Sequence, residues 1–185
     1  MKIKGNVLLA RRQFVKDHFG ADGWRRVLDV MQPSDKLTLD GIIVQMLWYP
    51  YDMGTRLDEA IVKVLGKGDT AIFEEIGAES ARVNLSGVHQ DFLVKGNPQA
   101  FMANMPAVYG FYYDTGRRAY ERTGPDSCLI TTLEADSFSA VDCLTVAGWF
   151  KEGLKMCGAK SAEVVEETCR AKGADACRYR VRWTM

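Results

Sequence analysis

Histidine is scarce in this 185-residue chain: only His18 and His89 are present, which leaves little material for imidazole acid–base chemistry. No Gly-x-Ser-x-Gly elbow, phosphate-binding loop or His-Glu-x-x-His pair occurs, so the common hydrolase, nucleotidase and zinc-protease arrangements have no motif here. There is no charge excess, because 24 basic residues balance 24 acidic ones. Without a net basic field, nucleic acid is not an expected partner. Long apolar runs are also missing. Arg11, Arg12, Lys16 and Asp17 break up the N-terminal segment before it reaches the length of a signal core or a membrane span, so a cytoplasmic location is expected. Disulfide staples are not indicated either. The five cysteines are an odd number, they lie in the C-terminal third, and a chain of this size does not need them as cross-links.

What is present suits one packed domain spanning residues 1–185. Apolar residues make up 47% and charged residues 26%, and a chain of this length buries roughly 70% of its unfolded surface. Helical spacing of Val7, Leu8, Phe14 and Val15 predicts a helix over 6–19 that stops at Gly20, with His18 near its C-terminus, where its charge suits the dipole. Asp22 caps a second stripe of Trp24, Val27, Leu28 and Met31. The apolar stretch from Leu39 to Tyr49, closed by Pro50, reads as a buried helix. Further helices are expected over 55–65 and 70–83, and short ones between Ser86 and Tyr120. The pattern then changes. Ala119–Thr123 and Cys128–Leu133 read as a hairpin, 139–157 as a helix, and Ala162–Cys169 and Cys177–Trp183 as two closing strands. Helices followed by an antiparallel sheet with one packed helix make an α+β fold.

The hairpin formed by the last two strands brings together Glu166, Cys169 and Cys177, and the preceding helix offers Cys143 as a fourth group. Thiolates with one carboxylate suit a tetrahedral zinc shell. Free cysteine is also a small buried hydrophobe, so the residues alone leave both readings open. Trp48, Tyr49, Tyr109, Phe111, Tyr112 and Tyr113 form an aromatic group that suits either an apolar ligand pocket or the core.

The segment GWFKEGLKMCGAKSAEVVEETCRAKGADACRYRVRW, Gly148 to Trp183, resembles the signature of 4-vinyl-reductase domains. In the sensor members of that family a helix cysteine and the Glu, Cys and Cys of the hairpin hold zinc, and the matching positions are Cys143, Glu166, Cys169 and Cys177. The runs KGNVLLARRQFVKDHFG, LWYPYD and YYDTGRR extend the likeness to a family of myxobacterial proteins of about this length. The resemblance implies a fold shared with vesicle-tethering (transport-protein-particle) subunits and with haem nitric-oxide-binding domains. Within the latter, Tyr113-x-Thr115-x-Arg117 is similar to a Tyr-x-Ser-x-Arg clamp for haem carboxylates, with threonine replacing serine and His89 as the axial candidate. The implied function is a non-catalytic, dimeric or partner-bound signalling module for a small hydrophobic ligand, with zinc as structural metal. Haem gas sensing and ligand-free scaffolding are the alternatives.

Overall fold

The computed structural model describes residues 1–185. Strand β1 (Lys2–Lys4) leads directly into helix α1 (Gly5–Asp29), which kinks at Gly20, where φ is 69°. Helix α2 (Pro33–Asp40) follows, then the short strand β2 (Trp48–Pro50), which pairs antiparallel with β1. Helices α3 (Tyr51–Val64), α4 (Ile72–Leu85), α5 (Pro98–Ala103) and α6 (Met105–Tyr109) complete the helical part. Strands β3 (Arg117–Gly124) and β4 (Ser127–Leu133), helix α7 (Ala140–Met156), and strands β5 (Ser161–Thr168) and β6 (Cys177–Thr184) end the chain. The sheet order is β3-β4-β6-β5, antiparallel throughout, which bears out the α+β expectation.

One expected element is different. Residues 41–47 are not a buried helix but an extended loop between α2 and β2, with Ile42 91% exposed. The physical reason lies at the start of α1, which has no side-chain cap. Its first N–H groups need acceptors, and the loop supplies backbone: Gly5 N–H donates to Leu47 O at 2.9 Å and Asn6 N–H to Gln45 O at 3.0 Å. A β-carbon on Gly5 would lie 2.2 Å from Val44 O, so the approach requires glycine. Apolar content alone concealed this backbone role.

Two buried clusters share the interior. One, around Leu8, Phe14, Leu57, Ile61 and Phe73, is built by α1, α3 and the start of α4. The other joins α5, the later part of α7 and the sheet through Phe101, Phe150, Leu154, Tyr179 and Val181. On β6 the alternation is complete: Cys177, Tyr179, Val181 and Trp183 face in, while Arg178 and Arg182 face out. Tyr112 packs against both clusters.

Helices α4 and α7 touch backbone to backbone. A β-carbon at Gly77 would stand 2.0 Å from Thr145 O, and one at Gly148 would stand 2.0 Å from Glu74 O. Lys151–Glu74 at 2.6 Å and Arg82–Glu152 at 2.8 Å bracket the crossing. Gly148→Ala is therefore expected to force the helices apart and lower unfolding stability by about 1–3 kcal/mol in urea titrations. A loss below about 0.5 kcal/mol, the range of an ordinary surface change, would show that the crossing is not close-packed.

Candidate functional site

Helix α7 starts at Ser139, whose hydroxyl accepts from Asp142 N–H at 3.5 Å, and this places Cys143 in the first turn above the end of the sheet. Strand β5 changes register between Glu166 and Thr168, a bulge that re-aims the end of the strand. After Cys169 the chain makes a tight turn over Arg170–Lys172, reverses through Gly173 at φ 92°, and returns with Cys177 at the start of β6. The left-handed dihedral at Gly173 is the one position in this turn that demands glycine.

These local features bring the Sγ atoms of Cys143, Cys169 and Cys177 and a carboxylate oxygen of Glu166 within 4.8 Å of one another. Cys143 Sγ is 3.8 Å from Cys169 Sγ and 3.6 Å from Cys177 Sγ. A disulfide would need about 2.05 Å. Tetrahedral zinc with bonds of about 2.3 Å to sulfur spaces its thiolates about 3.8 Å apart. Glu166 Oε2 accepts from Lys172 Nζ at 3.0 Å, whereas its Oε1 is buried with no partner. All three thiols are buried, and Arg170 N–H donates to Cys177 Sγ at 3.4 Å.

The protonation of the cluster follows from its hydrogen bonds and its burial. The Cys143 thiol donates to Cys177 and, with Arg170 N–H assisting, draws the Cys177 thiol below the usual thiol range despite its burial. Cys143 itself is pushed up, first because it is that donor and then by burial. Cys169 is raised by burial. One thiolate is favoured and a second is opposed, as expected for like charges in a buried site. A divalent cation removes the opposition, so the donor set fits zinc. Cys128 and Cys157 lie away from this group, and burial raises their thiols to about 12 and about 11.

The aromatic candidates divide. Tyr112 and Tyr113 line an interior gap of about 50 Å³ between the two clusters, and Tyr109 lines an adjoining gap of about 40 Å³. Trp48 lies on the surface beneath Lys4 Nζ at 3.7 Å, and the Tyr49 hydroxyl accepts from Val44 N–H at 2.9 Å; neither lines these gaps. Phe111 is partly exposed and packs on His89. His89 is buried among Phe92, Phe111 and Tyr112, its Nε2 has no partner, and burial lowers its pKa, which keeps the ring neutral. Arg117 faces outward and pairs with Glu134 at 3.0 Å.

Sequence reading missed a buried ionic seam. Arg11 forks onto Asp58, with Nε at 3.0 Å and Nη2 at 3.2 Å, and reaches Asp142 Oδ1 at 3.3 Å; the Tyr113 hydroxyl donates to Asp142 Oδ2 at 2.8 Å. Burial pushes Asp58 up to about 6, against the pull of Arg11. Asp142 and Cys143 are adjacent, so one helical turn serves both the seam and the thiol cluster. The available signal was Arg11 falling among the apolar positions of α1.

The profile of the DUF2378 family, described as a protein of unknown function, matches residues 85–184, more than half of the chain. The chain belongs to the DUF2378 family. No curated protein matches it. Among solved structures, an Fe(II) unliganded H-NOX protein from K. algicida superposes with a TM-score of 0.76 at 12% identity, covering 98% of this chain and 97% of that one. An H-NOX protein from S. oneidensis in the Fe(II)NO ligation state gives 0.74 at 13%, covering 98% and 99%. A Tt H-NOX variant gives 0.73 at 17%, covering 98% and 95%. At these identities the likeness establishes a shared fold.

In this DUF2378 chain the residues proposed to clamp haem carboxylates have other partners. The two interior gaps are far below the about 300–1,000 Å³ typical of ligand pockets, Arg117 points to solvent, and the Tyr113 hydroxyl is committed to Asp142. Larger hollows of about 350 and about 740 Å³ lie elsewhere, and His89 lines neither. For the seam, Arg11→Met strands the Asp58 carboxylate and is expected to cost about 3–5 kcal/mol. In a denaturant series the Arg11→Met, Asp58→Asn double variant should recover part of that loss. Equal stability of wild type and Arg11→Met would refute the pairing.

Proposed function

We propose that this protein is a non-catalytic, small-molecule-binding module of the sensor type, in which zinc held by Cys143, Glu166, Cys169 and Cys177 ties α7 to the sheet. The observation that carries the reading is the convergence of three buried Sγ atoms, with Cys143 3.6–3.8 Å from the other two and all within 4.8 Å, on the unpartnered Glu166 Oε1. Four protein ligands close a zinc shell and leave no open position, which is a structural role. The metal supplies charge compensation for the thiolates when bound. Cys169 and Cys177 anchor the hairpin, and Cys143 anchors the helix that also carries Asp142 and lines the interior gaps. Ligand occupancy between the two clusters would bias how they sit on α7, and a partner or second copy of the chain would read that bias. Support for such a partner comes from Leu37, Ile42, Met46 and Leu47, large apolar residues that lie exposed near one another in sequence. No helix is long and apolar enough to cross a membrane.

Fold likeness to the H-NOX proteins favours a second reading, in which the chain carries haem with His89, whose buried Nε2 is free, as axial ligand. The interior would then have to open between the two clusters. Absorption spectra separate the two readings: the zinc reading expects no Soret band after expression with haem supply, and a stoichiometric band would replace it.

Elemental analysis of the purified protein is expected to give about one zinc per chain. Cys177→Ser should lose the metal and melt about 5–10 °C lower or more. Metal-free wild-type protein, with Cys177→Ser melting at the same temperature, would overturn the zinc reading.

A further inference from the structure

The chain buries two arginines, and only one has a counter-charge. Arg11 is matched by Asp58 and Asp142. Arg118 on β3 is 9% exposed and has no carboxylate within salt-bridge distance. Of its five N–H donors only Nε–H has a partner, Thr132 Oγ1 at 3.3 Å. The rings of Tyr109 and Phe150 flank the guanidinium at 5.0 and 5.1 Å, which offsets part of the burial but supplies no oxygen acceptor. Asp142 lines the same gaps, yet it is held by Arg11 and Tyr113. A guanidinium cannot shed its proton, and its remaining N–H groups open onto the two interior gaps, where they are free to take a partner from outside the chain.

Both interior gaps meet at Arg118. The first continues along Val108, Val146, Trp149 and Phe150, an apolar wall, and touches Val7 of the N-terminal cluster. The second passes Phe138, Ser139 and Arg170. We propose that Arg118 binds the carboxylate of a short-chain monocarboxylate whose hydrocarbon tail lies against that apolar wall. The fork of the guanidinium matches a carboxylate with two parallel hydrogen bonds, and the small gap limits the tail. The inference rests on the small-molecule-binding reading above and names the class of ligand. A bound tail would bridge the two clusters through Val7.

The test uses the full metal-loaded chain titrated calorimetrically with sodium butyrate, with nitrate as a tail-less oxyanion and butanol as a charge-less tail. Butyrate is expected to bind and raise the melting temperature, nitrate and butanol much less. Arg118→Gln should weaken butyrate about ten- to a hundredfold while keeping the zinc. If that variant does not fold, Val146→Phe narrows the gap, keeps Arg118, and is expected to lose butyrate binding. Unchanged butyrate affinity in both variants overturns the proposal, and nitrate binding as tightly as butyrate overturns the tail. No butyrate binding, with another small molecule retained in native mass spectra, overturns the carboxylate assignment and leaves the small-molecule reading standing. A chain that binds no small molecule of any kind removes both.

Discussion

Helix α7 has neighbours on every side, and each fixes it by a different kind of force. Its middle touches α4 backbone to backbone at Gly148, a contact only glycine permits. Its inner face carries Trp149, Phe150 and Leu154 into the C-terminal cluster. Its first turn presents Asp142 to the Arg11 seam and Cys143 to the hairpin thiols. A rotation of one residue, about 100° in a helix, would take all of these groups from their partners at once. The position of α7 therefore decides whether the two clusters are held together.

Energetically the thiol cluster is the least self-sufficient of these contacts. Close packing and the Arg11 seam are complete within the chain, whereas the three buried thiols and the unpartnered Glu166 oxygen can ionise together only with added positive charge. Lys172 supplies one charge from the surface to Glu166 Oε2 and leaves the inner oxygen untouched. The arrangement matches a metal clip better than a nucleophile. Cys177, the one thiol with a lowered pKa, owes the shift to Cys143 and a backbone N–H, and no histidine stands beside it.

Much of the C-terminal half was legible in the sequence because its periodicities are unmixed. Alternation of arginine with Cys177, Tyr179, Val181 and Trp183 leaves one register for β6, and the turn through Gly173 follows from its composition. The spacing of Glu166, Cys169 and Cys177 pointed at one end of that hairpin, and the structure brings the side chains together. The loop over 41–47 was not legible: its apolar residues resemble a buried helix, but its role is carried by backbone carbonyls that no side-chain pattern records. Similarly, Arg117 and Arg118 are indistinguishable by composition, and only strand register turns the first to Glu134 and the second inward. The Arg11–Asp58 pairing spans elements far apart in sequence, so local pattern could not reveal it.

Membership of DUF2378 and the H-NOX fold leave chemistry to the residues, and the residues place the strongest constraint at the end of the sheet. The central claim is that one zinc joins α7 to the final hairpin through three sulfurs and one oxygen. X-ray absorption at the zinc edge of the purified protein tests it directly. Three sulfurs at about 2.3 Å and one oxygen at about 2.0 Å are expected in the inner shell. A shell of nitrogen and oxygen alone, or a protein that takes up no zinc, would contradict it.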